Sequence, residues 1–292
     1  MSELRLPDGF LWGTATSAYQ VEGGNRNNQW YEFERPGETV RDGCGVACDH
    51  YNRFEEDFSL MEEFGHNAHR FSIEWSRIEP EEGLWNEREV AHYRRVLESL
   101  HRHNLVPFVT LHHFTNPVWF EAQGGWLNPK APDLIARYAG YMAKQLGEAA
   151  TMWLTINEPA VVPAAQYLMG MFPPQHTDFG EFVTATRHVL IALAKMHAAI
   201  KENAPHNPPV GPVLNMTHVM PVSDLPTDRQ AAQMVDQYQN AYWLDGFRDG
   251  VIGPPGGSGE PVEGLKGAWD FVGVNYYSRT LVRAGPLPSG IA

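Results

Sequence analysis

The chain has 292 residues, of which 22 are Lys or Arg and 35 are Asp or Glu, so its formal net charge is −13. An acidic surface repels phosphate groups, which argues against nucleic acid or an anionic membrane as a partner. Neutral small molecules are not disfavoured in this way. The length suits one large α/β domain that spans residues 1–292.

Cysteine content and the N-terminus bear on the compartment. Cys44 and Cys48 could form one small disulfide or help to hold a metal, but we favour two free thiols, because one pair is not a secreted disulfide framework. Residues 1–9 lack the charged start and apolar run of a signal peptide. No run approaches the ~20 apolar residues of a membrane span. We therefore expect a soluble cytoplasmic protein.

Short apolar runs alternate along the chain with longer segments of helical periodicity. Strands are predicted over residues 10–16, 68–75, 105–113, 152–156, 210–216 and 270–277. Helices are predicted between them over residues 51–64, 87–103, 128–146, 181–203 and 227–250. The apolar stripe of the first helix is expected to contain Phe54, Phe58, Leu60 and Met61. This alternation predicts a parallel sheet with helical crossovers.

Polar residues stand at or near the carboxyl ends of the predicted strands, where parallel sheets place their chemistry. These residues are Gln20, Glu22, Arg70, Glu74, His112, His113, Asn157, Glu158, Asn275 and Tyr277. Polar groups are costly to bury without partners, so their recurrence predicts a single polar site at this end of the sheet.

Glu158 is the strongest catalytic candidate. It ends an apolar strand, and Pro159 prevents that strand from continuing. A carboxyl group in partly apolar surroundings has a raised pKa, so it can stay protonated near neutral pH and donate to a leaving oxygen. Asn157 beside it could bind a substrate hydroxyl. The alternative for Glu158 is a structural ion pair.

Arg70 and the His112–His113 pair allow several interpretations. A guanidinium inside an apolar strand needs an acidic partner, so Arg70 could hold a catalytic carboxylate in its ionised form or belong to a structural salt bridge. Adjacent residues on a strand face opposite ways, so the two histidines cannot easily share a metal ion. We predict no metal site and expect one histidine to face the pocket as a hydrogen-bond donor.

The nine Trp residues suit a carbohydrate ligand, because sugar rings stack on aromatic faces. For any one Trp the protein core is the ordinary position. Trp119 and Trp126 lie in the loop beyond the third predicted strand and are the better candidates for a site.

Five segments resemble, in family order, the motifs of glycoside hydrolase family 1, the family of β-glucosidases and β-galactosidases. They span residues 10–23, 70–78, 110–114, 155–159 and 270–279. The resemblance implies an incomplete (β/α)₈ barrel, with about the first six strand–helix units present. It also implies a carbohydrate substrate, such as a terminal β-linked glucoside, galactoside or fucoside, and neither cofactor nor metal.

The resemblance further implies a retaining mechanism, in which an acid/base and a nucleophile carboxylate lie about 5–5.5 Å apart. Glu158 matches the acid/base, and Asn157 is expected to bind the sugar 2-hydroxyl. Gln20 and His113 match residues that hold the 3- and 4-hydroxyls. Phe114 stands where the family commonly has Trp.

Further residues match the nucleophile end of the family site. Arg70 and Tyr277 match the pair that positions the nucleophile and tunes its charge, and Asn275 lines the same end. Trp126 matches a Trp near the sugar pocket.

The family nucleophile is the Glu of a Thr-Glu-Asn-Gly motif on the seventh strand, and no Glu-Asn-Gly run occurs in the 292 residues. Two strand–helix units are therefore expected to be absent. Replacement by Glu22, Glu74 or Glu79, an inactive or sugar-binding remnant, and one part of a split enzyme all stay open. A six-stranded remnant has two open edges, so we expect self-association, a complementing C-terminal fragment, or marginal stability.

Overall fold

A computed structural model describes residues 5–34 and 42–285. The prediction about a signal peptide concerned residues 1–9, so it lies partly outside the described residues. The strands are β1 (Gly13–Ala15), β2 (Ala68–Ser72), β3 (Val106–His112), β4 (Met152–Asn157), β5 (Val210–Asn215), β6 (His218–Pro221), β7 (Val251–Ile252), β8 (Glu260–Pro261), β9 (Gly273–Asn275) and β10 (Arg279–Val282). The α-helices are α1 (Ala18–Val21), α2 (Gln29–Phe33), α3 (His50–Glu63), α4 (Trp75–Ile78), α5 (Glu87–Arg102), α6 (Val118–Ala122), α7 (Ala131–Leu146), α8 (Val161–Pro163), α9 (Phe179–Asn203), α10 (Pro226–Asp236) and α11 (Tyr242–Asp249).

Six strands form the main sheet, in the order β1-β2-β3-β4-β5-β9, and every neighbouring pair is parallel. Each of the six predicted strands contributes one of them, which confirms the parallel α/β prediction. Because the strands run in one direction, their carboxyl ends meet at one edge of the sheet. Two small sheets, β6 with β10 and β7 with β8, were not predicted from the sequence.

The helices cover the sheet with apolar faces. Phe58 of α3, Leu97 of α5 and Met142 of α7 are all fully buried in one continuous core. Asn86 accepts a hydrogen bond from the second residue of α5, so this long helix begins at a side-chain cap. Leu60 is 51% exposed, so its predicted place in the apolar stripe of α3 is wrong.

Two predicted elements end differently from the expectation. Trp75 was predicted as the end of the second strand but begins α4, where its ring stacks on Tyr138. The helix predicted over residues 227–250 is divided into α10 and α11 by a π-helical turn, Gln237–Ala241. Gly250, with φ of +76°, ends the second part as predicted.

The sheet has two open edges, because β1 and β9 each pair on one side only within the described part of the chain. Large apolar side chains are exposed near both edges: Trp12 is 58% exposed near β1, and Val274 is 54% exposed in β9. The expected exposure of apolar groups at the first and sixth strands is therefore confirmed. Unpaired strand edges of this kind are templates for pairing with further chain.

Among the described residues, no helix combines the length and the apolar character that crossing a bilayer requires. Within the same residues, no group of three or more His, Cys, Asp or Glu side chains is arranged to hold a metal ion. Cys44 and Cys48 are both free thiols.

Candidate active site

Glu158 lies where β4 ends, with its backbone nitrogen donating to the carbonyl of Val213 in β5 at 2.7 Å. Its φ of +52° is in the left-handed region, which turns the side chain away from the strand direction. Glu158 is only 6% exposed. Its Oε1 accepts hydrogen bonds from Asn275 Nδ2 at 2.6 Å and from the Tyr277 hydroxyl at 2.9 Å. The structure therefore brings together the ends of β4 and β9.

Arg70, in β2, reaches across the same end of the sheet. Its Nη2 donates to Asn157 Oδ1 at 2.5 Å, and its Nη1 donates to Asn275 Oδ1 at 3.1 Å. Nε donates to the Thr110 hydroxyl at 3.1 Å. Burial lowers the pKa of Arg70 below its ordinary value, while the negative charge of Glu158 opposes that shift.

The partners of Arg70 are neutral oxygens rather than carboxylates. Within residues 5–34 and 42–285, no Asp or Glu oxygen lies within 4.0 Å of its guanidinium. The structural salt bridge that the sequence left open is therefore not formed in the described part. A cation beside Glu158 whose partners among the described residues are amides, a hydroxyl and an imidazole ring is able to accept a carboxylate.

His112 and His113 point in opposite directions, as neighbouring residues on a strand must. His113 lines a cavity, and its Nδ1 lies 3.4 Å from Arg70 Nη2. Burial, with a smaller effect of Arg70, lowers the pKa of His113 to about 3, so its ring is neutral near pH 7. A neutral imidazole offers one donor and one acceptor to a ligand. His112 faces the core, where its ring bonds to Asn116.

The cavity has a volume of about 390 Å³, within the size range of small-molecule sites. The residues that line it are Ser17, Tyr19, Gln20, Trp30, Glu34, Asp42, Cys44, Ala47, His113, Phe114, Thr115 and Phe172. Phe172 packs edge-on against both Trp30 and Phe114, with ring centroids 4.9 and 5.6 Å apart, so three aromatic rings form one wall. Glu158 does not line this cavity, but His113 and Arg70 connect the two.

The structure does not place Trp126 at this wall, so that prediction is corrected. Trp126 is 0% exposed, and its ring packs edge-on against His112 and Phe120 in the core. A side chain behind His112 cannot touch a ligand on the His113 side. Trp30 and Phe172 provide the aromatic surface instead. They lie well beyond the strand ends, in the connections that follow β1 and β4, where residue type alone does not mark a cavity wall.

Glu22 and Glu74 also lie elsewhere, so the prediction of a single polar site is only partly right. Glu22 accepts from Arg77 Nε at 2.9 Å and from the Tyr93 hydroxyl at 2.8 Å. Glu74 accepts from the Thr115 hydroxyl at 2.8 Å. Of these buried contacts, the one to Tyr93 reaches α5, and none of them involves Arg70.

Comparisons with known proteins identify relatives of this chain. The family model described as glycosyl hydrolase family 1 matches residues 2–252. A 1,4-beta-D-glucan glucohydrolase from Thermotoga neapolitana is 33% identical over 97% of this chain and 71% of its own length. A solved beta-glycosidase from Pyrococcus horikoshii superimposes with a TM-score of 0.87 at 35% identity, over 94% of this chain and 63% of its own.

A second solved structure, the family 1 b-glucosidase from Thermotoga maritima in complex with isofagomine lactam, superimposes with a TM-score of 0.88 at 32% identity. The alignment covers 96% of this chain and 68% of that one. The six-stranded parallel sheet is thus an incomplete (β/α)₈ barrel. The family match over residues 2–252, with the Arg70–Asn157–Glu158 cluster at the carboxyl ends of the strands, shows that this chain belongs to glycosyl hydrolase family 1.

Proposed function

We propose that this chain carries the acid/base part of a retaining β-glycosidase that removes terminal β-linked glucose or a related sugar. The observation that carries the proposal is the cluster of Arg70, Asn157, Asn275 and Glu158 at one end of the sheet. The two Thermotoga relatives, a 1,4-beta-D-glucan glucohydrolase and a b-glucosidase, support a glucoside as the substrate. A cytoplasmic location and the absence of a cofactor belong to the same proposal.

In this proposal Glu158 protonates the glycosidic oxygen while a second carboxylate attacks the anomeric carbon. The bond to the aglycone breaks, and the sugar becomes covalently attached to the second carboxylate. Glu158 then takes a proton from a water molecule, whose oxygen attacks the anomeric carbon. The bond from that carbon to the second carboxylate breaks, so the sugar is released with its original configuration. Asn157 binds the sugar 2-hydroxyl, and Gln20 and His113, which line the cavity, bind the 3- and 4-hydroxyls.

The second carboxylate is provided by a further segment of polypeptide. The carboxylates considered as replacements are engaged elsewhere: Glu22 pairs with Arg77, and Glu79 pairs with Arg137. The open edge of β9 is a surface on which another strand can pair, and Tyr277, 73% exposed, stands beside it. We place the incoming carboxylate near the Arg70 guanidinium, whose charge keeps it ionised.

A sugar-binding protein without covalent chemistry is the second candidate. The observation in its favour is that Gln20, His113 and the aromatic wall are all present in the described chain. Stacking and hydroxyl recognition therefore need no further segment.

An external nucleophile separates the two candidates. Azide attacks the anomeric carbon as the aglycone departs, which gives an α-glucosyl azide without an enzyme nucleophile. We expect azide to promote release of phenol from phenyl β-D-glucoside, whose leaving group has a pKa of about 10 and needs protonation. The Glu158→Gln variant should lose this reaction but keep azide-dependent release of 2,4-dinitrophenol, which leaves without a proton.

The control is Glu148→Gln, which changes an exposed carboxyl remote from the cluster and should behave as the unmodified chain. Binding of isofagomine lactam is measured in parallel by calorimetry. Binding without azide-dependent turnover would favour the sugar-binding protein. If the chain neither binds the lactam nor turns over the glucoside, both candidates are contradicted.

A further inference from the structure

The loop that follows β3 has a strained backbone at the cavity wall. Phe114 has a φ of +71°, a region in which a bulky residue is strained and persists only where its surroundings hold it. This conformation places the Phe114 ring against Phe172, next to His113. Other parts of the chain must therefore fix the loop.

Gln29, the first residue of α2, makes two of the contacts that fix it. Its Nε2 donates to the carbonyl of Phe114 at 2.9 Å, and its Oε1 accepts from the backbone nitrogen of Asn116 at 2.6 Å. The backbone nitrogen of Gln29 donates to the Asn116 carbonyl at 3.2 Å. Gln29 is 7% exposed, so few waters compete for these bonds. The next residue, Trp30, belongs to the aromatic wall.

Asn116 is held from its other side. Its Nδ2 donates to Glu121 Oε1 at 2.6 Å, and its Oδ1 accepts from His112 Nε2 at 2.8 Å. Asn116 is 0% exposed. A buried amide whose donor and acceptor are both satisfied has one favourable orientation, so its backbone is fixed as well.

We propose that Gln29 and Asn116 are positioning residues, which set the shape of the cavity by holding His113 and Phe114 in place. The inference rests on the proposed sugar-binding role of the cavity. Neither side chain touches the reacting atoms. Their substitution therefore weakens sugar binding, which is a change in Kd or KM, and leaves the leaving-group dependence set by Glu158 unchanged.

Two substitutions of Gln29 distinguish this role from bulk packing. Gln29→Met has a similar shape but cannot make either hydrogen bond. Gln29→Glu keeps the acceptor for Asn116 and can donate to the Phe114 carbonyl only when its carboxyl is protonated. A buried carboxyl protonates readily at mildly acidic pH. Gln233→Met, on the exposed side of α10, is the matched control.

Calorimetric titration with isofagomine lactam is carried out at pH 7 and pH 5. We expect both Gln29 variants to bind about tenfold or more weakly at pH 7, the effect of losing one to two hydrogen bonds. At pH 5 binding should recover in Gln29→Glu but not in Gln29→Met. Unchanged binding in both variants at both pH values would overturn the proposal. If Gln29→Met does not fold, the proposal is tested by Gln29→Glu alone: recovery of lactam binding at pH 5 supports it, and no recovery contradicts it.

The His113 ring provides a readout that needs no ligand. In the unmodified chain it should stay neutral to about pH 3, because it is buried beside Arg70. In Gln29→Met the loop is no longer held, so water reaches the His113 ring. The pKa of this ring, measured by NMR titration, should then rise toward the ordinary value of about 6.5. An unmodified chain that binds no isofagomine lactam would contradict the proposed function alone. A titration unmoved in Gln29→Met would contradict the positioning role.

Discussion

Glu121 provides a test of the buried electrostatics on the far side of the cavity wall. Its carboxylate accepts a hydrogen bond from the neutral Asn116 at 2.6 Å. Burial raises its pKa from 4.5 to about 7, and the hydrogen bond from Asn116 offsets only part of that shift. Ionised Glu121 is therefore a source of instability in the folded chain.

Proton linkage gives the effect of Glu121 on the free energy of unfolding. The folded state holds the Glu121 proton more tightly than the unfolded state, so the free energy of unfolding falls as pH rises from 4.5 to about 7, and then levels off. With a pKa raised from 4.5 to about 7, Glu121 lowers the free energy of unfolding by about 3 kcal/mol at pH 8 and by less than about 1 kcal/mol at pH 5. Glu121→Gln removes this titration and keeps an oxygen for Asn116.

Urea unfolding at pH 5 and pH 8 measures the effect. We expect Glu121→Gln to be more stable than the unmodified chain by about 2–3 kcal/mol at pH 8, and by less than about 1 kcal/mol at pH 5. Glu22→Gln is the contrasting variant. Burial also raises the Glu22 pKa to about 7, but its loss leaves Arg77 buried without its carboxylate. That variant should be destabilised by about 3–5 kcal/mol. Equal stability of Glu121→Gln and the unmodified chain at pH 8 would refute the reasoning.

Two further predictions concern the open edges and the core. Val274→Lys places a charge in the edge strand β9, so it should reduce self-association in sedimentation velocity; an unmodified chain that is a monodisperse monomer at every concentration would contradict the expectation. Phe58→Ala opens a cavity at a fully buried position and should lower the free energy of unfolding by about 3–5 kcal/mol. Leu60→Ala, at an exposed position of the same helix, should cost less than about 0.5 kcal/mol, and similar losses in both variants would contradict the burial.

The main sheet could be predicted because short segments rich in apolar residues alternate with amphipathic helices along the chain. The β6–β10 pair could not, because both strands are short and partly exposed and include charged or imino residues such as Arg279 and Pro221. The division between α10 and α11 also leaves no mark in the sequence. A π-helical turn uses the same residue types as the α-helix around it.

The polar cluster could be predicted from the residues that end each strand, because the carboxyl ends of parallel strands meet whatever the details of packing. Arg70 and Glu158 were found in this way. Aromatic residues were assigned less well. Trp126 was expected near the pocket but lies in the core, whereas Trp30 and Phe172 form the wall. Aromatic residues are equally suited to a protein core and to a cavity wall, so only the packing of the folded chain shows which position each one takes.

The left-handed backbone of Glu158 sets the stability of the chain against the proposed acid/base role of this residue. A non-glycine residue at a φ of +52° is strained by about 1 kcal/mol, and glycine would relieve that strain. A library of this chain selected for thermal resistance alone should therefore collect Glu158→Gly. Selection for the proposed azide-dependent turnover of phenyl β-D-glucoside should retain the glutamate, so the residue recovered at this one position would report which property had been selected.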